Sequence, residues 1–209
     1  MMPDLHTLTT FFGIAVLLAL SPGPDNLFVL TQSALWGRRA GLMVVLGLCT
    51  GLLGHTAAVA VGLAAVFAAS PVAFAVLKWA GAAYLAYLAW QAFRAPAGAQ
   101  RGTAPPRLKP AALYTRGIVM NLTNPKVLLF FLAFLPQFAT PAAGPVGPQI
   151  VVLGGVFMLA TLLVFGAIAF FSGAAGAMLQ RSARARRILN TCAGLVFAGL
   201  ALRLATSVR

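Results

Sequence analysis

Apolar residues occur along this chain in long continuous runs, separated by short clusters of Lys and Arg. Two stretches, Ala40 to Leu77 and Val127 to Gln180, contain no Asp, Glu, Lys or Arg. Each exceeds the roughly 20 apolar residues that cross the hydrocarbon core of a bilayer. With the charged loops as punctuation, the pattern predicts six helical spans. They run from about Leu5 to Trp36, Ala40 to Ala69, Val72 to Phe93, Ala111 to Phe138, Pro148 to Leu179 and Ile188 to Ala205. Ser70 and Pro71 make the turn between the second and third. The expected fold class is an all-α integral membrane protein.

Two polar segments interrupt these runs, one in span 1 and one in span 4. The first is Ser21-Pro22-Gly23-Pro24-Asp25-Asn26 and the second is Asn121-Leu122-Thr123-Asn124-Pro125-Lys126. Setting Pro24-Asp25 against Pro125-Lys126 also aligns Leu27-Phe28-Val29-Leu30 with Leu128-Leu129-Phe130-Phe131. Each half of the chain thus has one break, in its first span. An odd number of spans per half makes the second half insert with opposite topology. The pattern predicts two inverted three-helix repeats, residues 1–93 and 111–209, joined by a basic cytoplasmic linker, residues 94–110. Broken helices in corresponding positions of inverted repeats point to a transporter's binding site at the bilayer midplane.

Composition then narrows the function classes. Of 209 residues, 61% are hydrophobic and 8% charged, against roughly 25% charged in soluble domains, which excludes an ordinary soluble enzyme. Asp4 and Asp25 are the only acidic residues, so paired catalytic carboxylates and carboxylate metal cages are excluded. The formal charge of +13 raises nucleic-acid binding as a possibility, but position decides against it. Eleven of the 15 basic residues fall in three loop clusters: Arg38 and Arg39; Arg94, Arg101, Arg107, Lys109 and Arg116; and Arg181, Arg184, Arg186 and Arg187. All three follow odd-numbered spans and so share one membrane face, as the positive-inside rule requires of cytoplasmic loops. No interleaved aromatic platform for bases accompanies them. Both termini are then expected outside the cytoplasm. No basic region precedes the first apolar run, so the first helix is expected to stay in the mature protein rather than leave as a signal peptide. Cys49 and Cys192 sit within or at the edge of spans and are assigned no disulfide.

The breaks carry the candidate chemistry. Pro lacks an N–H and clashes with the preceding turn, so Pro22-Gly23-Pro24 cannot continue a helix. Pro24 and Pro125 suit the first position of a new half-helix, with Asn124 as N-cap of the second. Each half-helix start presents unpaired N–H donors and about half a positive charge, and two such ends together suit a carboxylate. Asp25 and Lys126 lie deepest in apolar sequence, where a charge costs about 2.5–3.5 kcal/mol on insertion scales. One role for them is structural, each neutralising the other across the repeat interface. The other adds substrate contact: Asp25 takes an ammonium or a proton, and Lys126 helps hold a carboxylate. A zwitterionic amino acid fits that polarity.

Around this centre, Ser21, Gly23, Asn26 and Asn121 complete the two segments, and Gln32 lies two turns beyond Asp25, placed to line a cavity. Span 2 adds Gly47, Gly51, Gly54 and His55; close helix packing is the simplest role for the glycines. His55 has two readings, an interhelical hydrogen bond or a contact with substrate or protons. No metal and no cofactor is expected. A nucleophile elbow or zinc-binding helix motif that would turn Ser21, Asp25 and His55 into a hydrolase is missing.

Taken together, the Ser21–Asn26 segment, Gly47 and Gly51, and Asn121–Lys126 followed by Phe130-Phe131-Leu132-Ala133-Phe134-Leu135-Pro136-Gln137-Phe138 resemble the LysE/RhtB family of bacterial amino-acid exporters over essentially the whole chain. Asp25 stands where the lysine and arginine branch typically has Gln, so the chain resembles the RhtB-type branch. That resemblance implies export of neutral amino acids such as homoserine, threonine or leucine, or derivatives, across the bacterial inner membrane. Its implied partners are the lipid bilayer, the small-molecule substrate and protons, with a homodimer as a candidate assembly. The alternative is an exporter of another small solute or a metal ion through the same broken-helix site.

Overall fold

In the computed structural model the chain is helical, and the structure describes residues 3–21, 23–69, 71–95, 107–181 and 183–206. Pro22 and most of the linker, residues 96–106, lie outside the described residues. Among the described residues eight α-helices follow in order: α1 Leu5–Leu20, α2 Pro24–Trp36, α3 Arg38–Ala69, α4 Pro71–Arg94, α5 Pro110–Leu122, α6 Pro125–Leu129, α7 Val146–Arg181 and α8 Ala183–Thr206. No strand occurs among the described residues. Their ends fall within a few residues of the expected spans.

Several boundaries have a local cause. Asp4 caps α1 by accepting the Thr7 N–H at 2.7 Å, a common N-cap arrangement. Pro24, Pro110 and Pro125 open α2, α5 and α6, where their missing N–H is not needed. Gly37 ends α2 at φ +86°, in the region that only glycine enters at low cost, and α3 starts at the next residue.

The two breaks are shorter than the polar segments that mark them. Ser21–Gly23 separates α1 from α2, and Thr123–Asn124 separates α5 from α6. The first pair of helices is bent by 64°, and the second, extended to Phe138, by 48°. Beyond α6 the helix widens to a π-turn at Phe130–Phe134 and tightens to a 3-10 turn at Leu135–Phe138. Pro136 explains the change, since it can neither donate to an i−4 carbonyl nor sit behind it without a clash. The Gln137 side chain donates to the Ala133 carbonyl at 3.4 Å.

By length and apolarity, Arg38–Gly62 and Val146–Ser172 are each able to cross a membrane, and each bent pair meets the same test as one unit. Asn190–Thr206 is a shorter apolar helix. The described residues therefore provide two candidate spans, or four counting each bent pair as one. In packing, α3 runs along α5 and α7, α4 along α8, and α1 along α7. Two buried clusters fill the interior. The larger holds Phe11, Phe130, Phe131, Phe134, Phe138 and Phe157; the smaller holds Val29, Val44, Val45, Leu48 and Phe165.

Small residues set how closely α3 and α5 approach. A Cβ on Gly47 would collide with the Tyr114 carbonyl, and one on Gly117 would strike the Val44 carbonyl. Gly47 and Gly117 face each other across the crossing, the arrangement that lets helix backbones touch inside a membrane. The packing role expected of Gly47 is thus the one it fills. Cys49 is buried, Cys192 is exposed, and both are free thiols.

Candidate functional site

The broken ends of α1 and α5 meet near the middle of the fold, and unsatisfied backbone groups determine what surrounds them. A helix end leaves carbonyls without intrahelical donors, and hydrocarbon offers no water to replace them. At the end of α1, the Leu17 carbonyl accepts the Ser21 N–H at 3.0 Å and the Ala19 carbonyl accepts Asn26 Nδ2 at 2.7 Å. Lys126 Nζ donates to the Leu18 and Ser21 carbonyls, both at 3.3 Å. A cation at a helix C-terminus also offsets the negative end of the macrodipole. Lys126 therefore caps α1 from the other half of the chain.

Gly23 makes room for this contact. A Cβ there would lie 3.3 Å from Lys126 Nζ. Its φ of −168° is extended backbone open to any residue, so space is the requirement.

Asn124 ties the two half-helix starts together. Its Oδ1 accepts the Lys126 backbone N–H at 3.0 Å, the N-cap role expected of it, and its Nδ2 donates to Asp25 Oδ2 at 2.8 Å. Asp25, 3% exposed, sits in the first turn of α2, where a carboxylate complements the helix dipole. Its second oxygen, Oδ1, is buried without a hydrogen-bond partner. The expected mutual neutralisation of Asp25 and Lys126 thus takes an indirect form: the carboxylate is held by an amide, the ammonium by two carbonyls. Both charges belong to one site without bonding to each other.

The second break has its own cap. His55 Nε2 lies 3.2 Å from the Asn121 carbonyl, and because a carbonyl only accepts, Nε2 carries the proton. This is the interhelical hydrogen bond of the two readings of His55. Gly51, one turn earlier on α3, leaves space for the Asn121 side chain: a Cβ at Gly51 would lie 2.7 Å from both Asn121 Cβ and Oδ1. Gly51 and His55 thus position Asn121.

Beside the charged pair lies a cavity of about 20 Å³, lined by Asp25, Asn121, Lys126 and Thr161 and by apolar side chains including Leu48, Phe157 and Phe165. That volume holds about one water. It is far below the roughly 300 Å³ at which ligand pockets begin, so this conformation is closed around the site. Ser21 Oγ, Asn26 Oδ1 and Asn121 Oδ1, like Asp25 Oδ1, are buried without partners, and Asp25 and Asn121 both line the cavity, where such oxygens suit an ammonium donor.

The structure brings Ser21, Gly23, Asp25, Asn26, Asn121, Asn124 and Lys126 together, with Pro24 and Pro125 opening the half-helices and Gly51 and His55 one layer behind. Gln32 is fully buried and is not among the residues lining this small cavity: two turns of helix, about 10 Å of rise, carry it past Asp25 towards the end of α2. Pro22 lies outside the described residues. Sequence reasoning missed the wall supplied by α7. Thr161 was the available signal, the lone polar side chain between Gln149 and Ser172 in that long apolar helix.

A family model described as LysE type translocator matches residues 16–208. A homoserine/homoserine lactone efflux protein of Salmonella typhi is 35% identical over 183 residues, covering 88% of each chain. A leucine efflux protein of Enterobacter sp. (strain 638) is 29% identical over 201 residues, 94% of each chain. An uncharacterized membrane protein of Vibrio cholerae is 34% identical over 207 residues, 98% of each chain. No solved structure matches the chain.

Proposed function

The chain belongs to the LysE type translocator family, and from that premise we propose that it exports a neutral amino acid or derivative, of the homoserine, threonine or leucine kind. The observation that carries this reading is the pairing of opposite charges at the two helix breaks: Asp25 with a free buried oxygen, and Lys126 with the second half-helix start. A zwitterion satisfies both ends of such a site. Its ammonium replaces the missing partner of Asp25 Oδ1, and its carboxylate lies against the starts of α2 and α6.

Transport then proceeds by alternating access between two inverted repeats of three spans: α1 with α2, α3 and α4; then α5 with α6 and its continuation, α7 and α8. The packing supports this assignment. Under a two-fold exchange of the halves, α3 with α7 and α4 with α8 are self-paired contacts, and α1 on α7 becomes α5 on α3; all four occur. With the basic loops in the cytoplasm, both termini lie in the periplasm and the protein resides in the bacterial inner membrane. A proton returning to Asp25 as the ammonium leaves provides the coupling. The protein is a transporter and not an enzyme. A divalent-metal exporter is the weaker reading, since no three His, Cys, Asp or Glu side chains converge among the described residues.

Efflux of labelled homoserine, threonine, leucine, lysine and a divalent metal from cells expressing the protein, against cells carrying an empty vector, tests this. Export of one or more neutral amino acids, slowed by a protonophore, is expected. Metal efflux without amino-acid efflux contradicts the reading.

A further inference from the structure

All seven buried side-chain polar atoms without a partner, among the described residues, lie either at the crossing of the two breaks or on α2 beyond it. On α2 they are Asp25 Oδ1, Asn26 Oδ1, both amide atoms of Gln32, and Trp36 Nε1. At 3.6 residues per turn, Asp25, Gln32 and Trp36 fall within about 40° of one another around the helix. They form one stripe on α2, which packs against α3 and α7. Polar groups buried and unpaired within protein side chains are costly in hydrocarbon and are tolerated where they line a water-filled route.

The opposite direction from Asp25 has another character. Phe11, Phe130, Phe134, Phe138 and Phe157 pack there with ring centroids 5.1–5.9 Å apart along the chain of contacts from Phe138 to Phe11 and Phe130 to Phe157. One side of the site is therefore sealed by aromatic rings, the other by a seam of small residues over unsatisfied polar groups. At that seam, a Cβ on Gly41 of α3 would collide with Ser33 Oγ of α2 and lie 3.1 Å from Ala169 of α7.

We propose that the buried stripe from Asp25 through Gln32 to Trp36 is the cytoplasmic half of the transport route, closed here, with the Gln32 amide as an intermediate station for the amino acid's carboxylate and ammonium. A basic side chain stands at its Trp36 end: the Arg107 guanidinium lies 5.9 Å from the Trp36 ring centre. It raises the local concentration of a carboxylate-bearing solute at the mouth. Opening requires α2 to separate from α3 and α7 at the Gly41–Ser33 contact. The assignment of this end to the cytoplasm rests on the proposed topology.

Gln32→Cys in a background of Cys49→Ala and Cys192→Ala tests the route with a membrane-impermeant charged thiol reagent. Labelling at least tenfold faster in inside-out than in right-side-out membrane vesicles is expected, with Phe11→Cys unlabelled in the inside-out ones. Alongside, Gln32→Leu is expected to lower efflux at least tenfold at matched membrane levels, and Gln32→Asn to retain most of it. Labelling that is equal from both sides or faster from the outside overturns the proposal, as does wild-type efflux by Gln32→Leu. The labelling needs no substrate, so its outcome stands even if the panel of amino acids reveals none that is exported.

Discussion

Lys126 shows how a single residue can be read two ways until its contacts are known. In sequence it is one member of an opposite-charge pair; in the fold its ammonium closes the end of α1 through the Leu18 and Ser21 carbonyls. The distinction is measurable. Lys126→Met strands two buried carbonyls and lowers stability by about 3–6 kcal/mol, taking hydrogen bonds to a charged group at 1.5–3 each. If Lys126 merely neutralised Asp25, adding Asp25→Asn would restore the loss. With the carbonyls still bare, the double variant is expected to recover less than half, as read from thermal unfolding of the protein in detergent. Glycine offers a second residue-scale contrast. Gly51→Ala drives a methyl to within 2.7 Å of Asn121 and is expected to cost about 1–3 kcal/mol. Gly13→Ala meets nothing within 4 Å and is expected to be neutral or to gain up to about 1 kcal/mol. The same melts compare the two.

At the scale of elements, the half-helix starts were legible because proline and an N-cap amide act within a few residues of where they stand. Pro24, Pro125 and Asn124 were assigned their places from sequence and occupy them. The π-turn at Phe130–Phe134 was not legible. Nothing in those five residues encodes it; its cause, Pro136, lies downstream and acts backwards on carbonyls that must find other donors. For Gln32, helical spacing fixes the face it shares with Asp25 but not how far along that face a cavity extends. The connection before α7 relies on one side chain. Gln149, fully buried, accepts the Thr140 N–H at 3.0 Å and donates to the carbonyls of Thr140 and Gly144, each at 3.0 Å. Gln149→Leu removes these bonds and is expected to cost about 2–3 kcal/mol. Faster protease cleavage between Ala139 and Pro145 and a lower melting temperature are the readouts; an unchanged cleavage rate contradicts the role.

For the whole molecule, two polar motifs separated by a hundred residues were enough to expect a shared centre, because buried charges and broken helix ends in hydrocarbon each need partners that only the other can supply. The third wall of that centre, Phe157, Thr161 and Phe165 of α7, was marked in the sequence by Thr161 alone; the apolar residues around it give no sign of which face meets a cavity. The cavity of about 20 Å³ further implies that substrate binding and helix movement are one event. The most direct measurement is counterflow of a labelled neutral amino acid into proteoliposomes, using the substrate that whole-cell efflux identifies, with wild type and Asp25→Asn reconstituted at equal density and orientation. Counterflow is an exchange that needs binding and reorientation but no gradient. Loss of uptake by Asp25→Asn, with an unchanged elution profile in detergent, is the expected result. Uptake by Asp25→Asn at the wild-type rate would contradict the central claim that the crossing of the two breaks is where the substrate binds.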